Sequence, residues 1–579
     1  MPALILGPML RHVTATSATI WMETDSRCTV TVLDTEAATF CVSGHHYALV
    51  IVRQLEPGSA TEYEVALDGE RCWPPDDSTL PPSRIRTPGP GAPVQIVFGS
   101  CRTAAPHGAP WSLELALDSR GRGVDALYTY ALEMIGKPVE QWPALAVFLG
   151  DQIYADDSSP KTRVRIAEER APSPSNADDT LPPELVGGFE EFTWLYHESW
   201  SPPIERWFFA NVPSVMIFDD HEMIDDWNIS AAWVTKIRRQ RWWQDHVTGG
   251  LMTYWLYQHL GNLSPETIAE EGLLAKIAEV DDGEAILREW AMQTEEFTPV
   301  AGGYRFNFVR DIGRVRLVMI DARNGRVLES GKRQIVDDNE WRWVLDACTV
   351  DVDHLLIASS LPVFVPGGLH DLQVWSEAIC DGAWRTPGRK LGEWLRVKAD
   401  LEDWPAFLLS FEAFVAMLRA LGRASRTDAP ATISILSGDI HFAYAAEIIF
   451  PDTAMTSKVH QLVNSPIRNG LTPPERTAMK LGTSRFATGL GRLLRRSVHR
   501  QRTSLQWKMD RGPVFANCLG TITFDGRQAK LLVQQTRPYD DQGDAAFEIA
   551  IDADLLLGTH NVPAEQLDTA LRPVSGARS

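Results

Sequence analysis

Six apolar runs between residues 94 and 436, each stopping abruptly at polar residues, constrain this chain more than any other feature. They are residues 94–98 before Gly99-Ser100-Cys101-Arg102, 145–149 before Gly150-Asp151, and 215–218 before Asp219-Asp220-His221-Glu222. Residues 317–320 before Asp321, 355–358 before Ser359-Ser360, and 433–436 before Ser437-Gly438-Asp439-Ile440-His441 complete the set. Continuous apolar runs separated by long helical stretches are how strands buried on both faces of an α/β sheet read. Because ligands in open α/β sheets bind outside the carboxyl ends of the strands, this topology places a thiol, carboxylates and imidazoles together.

The first 90 residues follow a different pattern. Short β-prone stretches at 18–22, 28–32, 47–52 and 63–67 are punctuated by Pro57-Gly58 and Asp68-Gly69, which predicts a small β-sandwich. A Pro-rich run over 74–93 cannot continue a central strand and acts as a connector. At 579 residues the chain exceeds one ordinary core. The expected division is a sandwich over 1–90, a large α/β domain over 91–545 and a carboxyl-terminal tail over 546–579. Helical segments around 192–207 and 227–257 are rich in tryptophan, and Trp233, Trp242, Trp243 and Trp255 are expected in the core. The stretch 156–188, with Pro172, Pro174, Pro182 and Pro183, is expected to be a mobile insertion, either a lid or a disordered segment.

Composition excludes some classes. The apolar share is 44% and the charged share 23%, ordinary for a globular protein. No run approaches the ~18 apolar residues that span a bilayer, and the start lacks the basic and apolar regions of a signal peptide. Seven cysteines without paired spacing fit a reducing compartment. The expected location is therefore cytoplasmic. A net charge of −21 argues against broad nucleic-acid binding. The segment from Arg468 to Lys508 is the exception, with Arg492, Arg495, Arg496, Arg500 and Arg502 against the single acid Glu475. It is either a solvated helical face or a local attractor for anionic substrates or a lipid surface.

Each polar terminus admits two readings. Asp151, three residues before Tyr154, is either a bridging carboxylate beside a phenolate or the cap of a following helix. Asp219 and Glu222 have capping-box spacing, which leaves Asp220 and His221 at a strand end unexplained. Asp439 and His441 alternate, so both point the same way from an extended segment; a satisfied buried pair is the alternative. Cys101 is either a small buried hydrophobe or a thiolate ligand for iron or zinc, with Arg102 beside it to hold a phosphate oxygen.

The set Phe-Gly-Ser-Cys-Arg, Gly-Asp-Gln-Ile-Tyr, Phe-Asp-Asp-His-Glu and Ser-Gly-Asp-Ile-His, in this order after a β-sandwich, resembles the PhoD-type alkaline phosphatase/phosphodiesterase family of the calcineurin-like metallophosphoesterases. The resemblance covers nearly the whole chain. It implies a fibronectin-III-like β-sandwich followed by a two-sheet α/β/β/α metallophosphoesterase domain. It further implies that Cys101, Asp151, Tyr154 and Asp439 surround ferric iron, with Asp151 bridging to a second ion. Asp220 stands where the wider superfamily has Asn, and its added charge favours a hard divalent ion such as Ca²⁺, Mn²⁺ or Mg²⁺. His221 matches the residue that stabilises the transition state or protonates the leaving group, and His441 matches the last metal-site histidine. Arg323 is a candidate substrate-binding residue, with a structural ion pair as the alternative. Members of the family are commonly exported, a departure from the location expected above.

The implied chemistry is hydrolysis of phosphoric mono- or diesters by hydroxide generated at a dinuclear centre, without a Ser or Cys nucleophile. Two other readings remain: a phospholipase-D-like lipid diesterase with the segment Arg468 to Lys508 facing the bilayer, and a non-catalytic binding protein that works through its sandwich. Oligomeric state and natural substrate are not encoded in these motifs.

Overall fold

The computed structural model describes residues 1–170, 181–297, 304–426, 428–500, 504–539 and 545–556. The amino-terminal part forms two four-stranded antiparallel sheets. One contains Leu4–Val13, Ser17–Thr24, His45–Arg53 and Phe40–Val42; the other contains Thr35–Ala38, Thr29–Val32, Val65–Leu67 and Glu70–Trp73. Alternation drives the pairing: in Thr29–Val32 the two valines are buried and the two threonines are not. Leu10, Ile20, Val30, Val50 and Val65 fill the space between the sheets, and Ala210 of the helix Pro203–Asn211 closes it. The Tyr63 hydroxyl donates to the Ala210 carbonyl at 2.7 Å, tying this unit to the larger one.

The rest is an α/β domain with two mixed sheets. The six-stranded sheet runs Ser214–Met216, Leu145–Phe148, Val94–Gly99, Cys518–Asp525, Gln528–Thr536, Phe547–Asp554, with the first three parallel. The seven-stranded sheet runs Phe308–Ile312, Val315–Ile320, His354–Ser359, Thr432–Ser437, Lys458–Val463, Ala443–Ile449, Gln506–Val514, with four parallel strands at positions two to five. All six expected strands form, three in each sheet. The uninterrupted apolar runs have a direct cause. Leu356, Ala358 and Leu436 join one core, whereas their neighbours Leu355, Ile357, Ile433 and Ile435 join another, beneath Phe411, Phe414 and Leu418 of the helix Leu408–Gly422. Both faces of these strands are covered, so polar alternation is lost.

Two expectations about boundaries differ from the structure. The strand Phe547–Asp554 lies in the stretch expected to be a tail, where it pairs along Gln528–Thr536 and buries Ile551 and Ala553. Within the expected insertion, Pro160–Glu169 is a helix, started by the Ser159 hydroxyl accepting from the Thr162 amide and by proline at its first turn; residues 171–180 of that stretch lie outside the described residues. Trp243 and Trp255 are buried, and Trp233 and Trp242 pack half-buried against the same core, as expected. All seven cysteines are free. Among the described residues no helix is long and apolar enough to cross a membrane.

Candidate metal centre

Three strand ends converge where the two sheets meet. Beyond Val94–Gly99, Leu145–Phe148 and Thr432–Ser437 the chain turns sharply, and Cys101, Asp151, Asp439 and His441 take φ values of 59°, 50°, 65° and 56°. Non-glycine residues seldom occupy this left-handed region, and four of them gather at this one place. Glycine is required beside them. A Cβ at Gly150, whose φ is +112°, would lie 2.5 Å from the Asp219 Cβ, and one at Gly438 would lie 2.0 Å from the Ser100 hydroxyl. The turns are laced together: the Arg102 amide donates to the Asp151 carbonyl at 3.0 Å, and the Asp439 amide donates to the Ser100 hydroxyl at 3.1 Å.

The side chains fall into three groups whose ligand atoms lie within 4.8 Å of one another: Cys101, Asp151 and His441; Asp151, Asp220 and His221; Asp219, Asp220 and Asp439. Asp151 belongs to the first two, and the Tyr154 hydroxyl lies 3.4 Å from its Oδ2. Cys101 groups with His441, while the Asp439 carboxylate faces Asp219, Asp220 and Arg323, and the Asp439 backbone carbonyl accepts from the Cys101 thiol at 3.7 Å. The argument from alternation required an extended segment, but both residues are left-handed, so their side chains diverge.

Burial and crowding shape the electrostatics. Burial, then Asp439, pushes the Cys101 thiol up to about 12. Burial, then Cys101 and Asp219, holds the Asp151 carboxyl well above the usual carboxylate range, and burial with Asp219 does the same to Asp439. Burial pushes Asp219 up to about 6 despite Arg323. The fully buried Arg323 guanidinium reaches the Asp220 Oδ1 at 3.0 Å and the Asp439 Oδ1 at 2.9 Å, and it also bonds Asp219 and Glu402. Of the two roles left open for Arg323, these contacts are those of the ion pair. Its charge lowers Asp220 against the opposing effect of burial. Even so, Asp151 Oδ1 and Asp219 Oδ2 are buried without a hydrogen-bond partner. Unpartnered buried carboxylate oxygens are costly, and a cation is the partner that relieves them. Thiol, phenol and imidazole on one side suit a transition metal, and carboxylates on the other suit a hard divalent ion, so the residues present fit two cations.

Several supporting groups escape sequence reasoning. Asp156 Oδ1 lies 2.9 Å from His221 Nδ1, leaving Nε2 to face the centre, and the imidazole is raised well above its ordinary value because Asp156 and Asp151 outweigh burial. His441 Nδ1 donates to the Asn469 carbonyl at 2.7 Å, so its Nε2 is the free donor atom, and burial pushes its pKa down to about 4. Glu222 accepts from the amides of Asp151 at 3.1 Å, Gln152 at 2.7 Å and Asp219 at 2.8 Å. The capping-box spacing points to the last bond only; the first two join it to a turn 70 residues earlier.

Arg102 is placed elsewhere than expected. Its Nε reaches Asp125 at 3.0 Å, its Nη2 reaches Glu205 at 2.6 Å, and its Nη1 donates to the Ser199 carbonyl at 2.9 Å. Adjacent side chains diverge across this turn, so Arg102 faces away from Cys101 and keeps no donor for a phosphate oxygen. It neutralises two buried acids that also lie near His107.

Residues 1–85 match a family described as a domain of unknown function, DUF7800. Residues 128–259 match the PhoD-like phosphatase family, and this segment contains Asp151, Tyr154, Asp220 and His221. A comparison with curated proteins returned no match. Among solved structures, one titled "Structure of PhoD" is similar over 94% of this chain and 88% of that one, at 12% identity and a TM-score of 0.55. That likeness speaks for the fold, and the matched segment carries five of the eight converging residues, with Cys101, Asp439 and His441 outside it. Residues 128–259 therefore match a PhoD-like phosphatase domain, and the chain as a whole is similar in fold to that solved structure.

Proposed function

We propose that this protein hydrolyses phosphoric mono- or diesters at a dinuclear metal centre. The observation that carries the proposal is the single Asp151 carboxylate shared between a Cys101–His441 group and an Asp220–His221 group. Cys101, Asp151, Tyr154 and His441 would hold one cation, for which ferric iron is the natural choice given a thiolate and a phenolate. Asp151, Asp220 and Asp439 would hold a divalent ion such as Ca²⁺, Mn²⁺ or Mg²⁺. Bound there, the two ions would supply the Lewis acidity that brings the pKa of water near ~7 and neutralises phosphoryl charge.

The chain's own residues do the rest. With Nδ1 held by Asp156, His221 presents Nε2 and donates its proton to the departing oxygen. Arg323 orients Asp220 and Asp439 and, with its donors committed, does not itself bind substrate. Glu222 holds the Asp151 turn by its amides. The test is metal analysis of wild type and Asp151→Asn, with chromogenic phosphomonoester and phosphodiester as substrates. Two metals per chain and hydrolysis that collapses in the variant are expected. Protein inactive after reconstitution with iron and Ca²⁺ or Mn²⁺ would refute the proposal and favour a binding protein.

A further inference from the structure

Two consecutive helices, Pro473–Gly482 and Arg485–Ser497, lie on the surface of an otherwise acidic molecule. The second has two distinct faces. Gly491 and Arg495 are buried against the helix Gly367–Cys380, where Arg495 meets Asp371 at 2.8 Å and Leu494 joins the cluster of Trp375, Ile379 and Val498. The opposite face carries Phe486 at 80% exposure, Leu493 at 65% and Leu490 at 48%. At 100° per residue these three fall within a narrow arc, and Arg485, Arg492 and Arg496 form a second exposed arc beside them. Among the described residues none of these three arginines has an ion pair. From Arg476 to Lys508 the sequence contains nine Lys and Arg and no Asp or Glu.

Charge selects the occupant. A chain of net charge −21 repels anionic surfaces everywhere except at such a patch. A second copy docking face to face would set arginine against arginine without an acid to pair it. Nucleic-acid phosphates have no use for an exposed Phe and Leu stripe. An anionic lipid bilayer answers both halves: its headgroups meet the arginines, and the apolar stripe enters the headgroup–acyl boundary. The helix Arg385–Lys398 packs on the same supporting helix and exposes Trp394 at 59%, flanked by Lys390 and Lys398. An exposed tryptophan among lysines is the side-chain type that settles at a membrane interface. This helix leads directly to Asp400, which groups with Asp225 and Asp226 four to six residues beyond the candidate ligands Asp220 and His221.

We propose that the exposed face of Arg485–Ser497, with Phe486, Leu490 and Leu493 beside Arg485, Arg492 and Arg496, docks this protein onto anionic lipid membranes. The inference concerns binding and stands whether or not the catalytic proposal holds.

Sedimentation with vesicles tests it directly, comparing phosphatidylglycerol-containing with pure phosphatidylcholine vesicles at low and high salt. Binding only to the anionic vesicles, weakened by salt, is expected. Because the altered residues are exposed, Phe486→Ser/Leu493→Ser and Arg492→Glu/Arg496→Glu should keep the wild-type fold by circular dichroism. The charge reversal should lower vesicle affinity by at least about a hundredfold, since each base near the surface contributes roughly fivefold; the serine pair should also release the protein. Absence of binding at low salt would overturn the proposal. So would binding that both variants retain, or binding that survives loss of Phe486 and Leu493. Vesicle-independent dimerisation dispersed by the serine pair would assign the face to self-association instead.

Discussion

Glu222→Gln should damage the centre although Glu222 is not among its proposed ligands. One oxygen, Oε2, accepts from both the Asp151 amide at 3.1 Å and the Asp219 amide at 2.8 Å; the other, Oε1, accepts from the Gln152 amide at 2.7 Å and the Gln258 side chain at 3.1 Å. Four donors converge on a group that only an ionised carboxylate satisfies in full, opposing the burial that pushes Glu222 up to about 8. Whichever way the amide of a glutamine turns, its NH₂ faces two donors. Two buried hydrogen bonds are lost, and the N–H groups left behind are desolvated. At about 1–2 kcal/mol for each, the folded state should lose roughly 2–4 kcal/mol. In a domain of this size that corresponds to a fall in thermal midpoint on the order of 2–4 °C. Because in either orientation one of the two stranded donors, the Asp151 or the Gln152 amide, belongs to the turn that aims Asp151, metal content and hydrolysis should fall as well. Differential scanning calorimetry with metal analysis on the same preparations reads both effects. A variant with unchanged midpoint and full metal content would show that Asp151 is aimed by its own backbone and that Glu222 is incidental.

Arg102→Met should destabilise the protein by about 3–5 kcal/mol, because Asp125 and Glu205 would be left buried without their cation; any folded fraction should keep its KM for a phosphate ester, and a selective rise in KM would restore Arg102 to the binding site. His45 should make stability pH-dependent. Its Nδ1 lies 2.9 Å from Glu23 and its Nε2 2.7 Å from Glu190, so both nitrogens carry protons, and these carboxylates raise its pKa to about 9 against the effect of burial. The folded value lies above the unfolded ~6.5, so this stabilisation is complete below about pH 6.5 and disappears as pH rises through about 9. Glu190 is half exposed, which reduces the contribution to about 1–2 kcal/mol. Thermal melts of wild type and His45→Gln should differ at pH 6 and converge near pH 10; a constant difference would refute the linkage.

The positions of the parallel strands follow from the linear chain, because covering a strand on both faces removes every polar residue and leaves a run that is read directly. Membership of the candidate centre is legible for a related reason: Cys101, Asp151, Asp220, Asp439 and His441 all follow shortly after such runs, so finding the strand ends finds the candidate ligands. Strand Phe547–Asp554 is different, since its partly exposed residues make no continuous run and only pairing with Gln528–Thr536 defines it. Direction within the site was also beyond reach. Which way the Asp439 and His441 side chains leave their turn, and whether Arg102 points toward the Cys101 thiol or away from it, depends on left-handed turns that local residue types tolerate without requiring. Those turns are held by bonds such as that from the Asp439 amide to Ser100, 339 residues away, and by glycines that let the two sheets touch at Gly438. Periodicity records which residues are buried; only the packing of distant segments decides which way a side chain leaves a turn, because that choice is made by partners the local sequence does not contain.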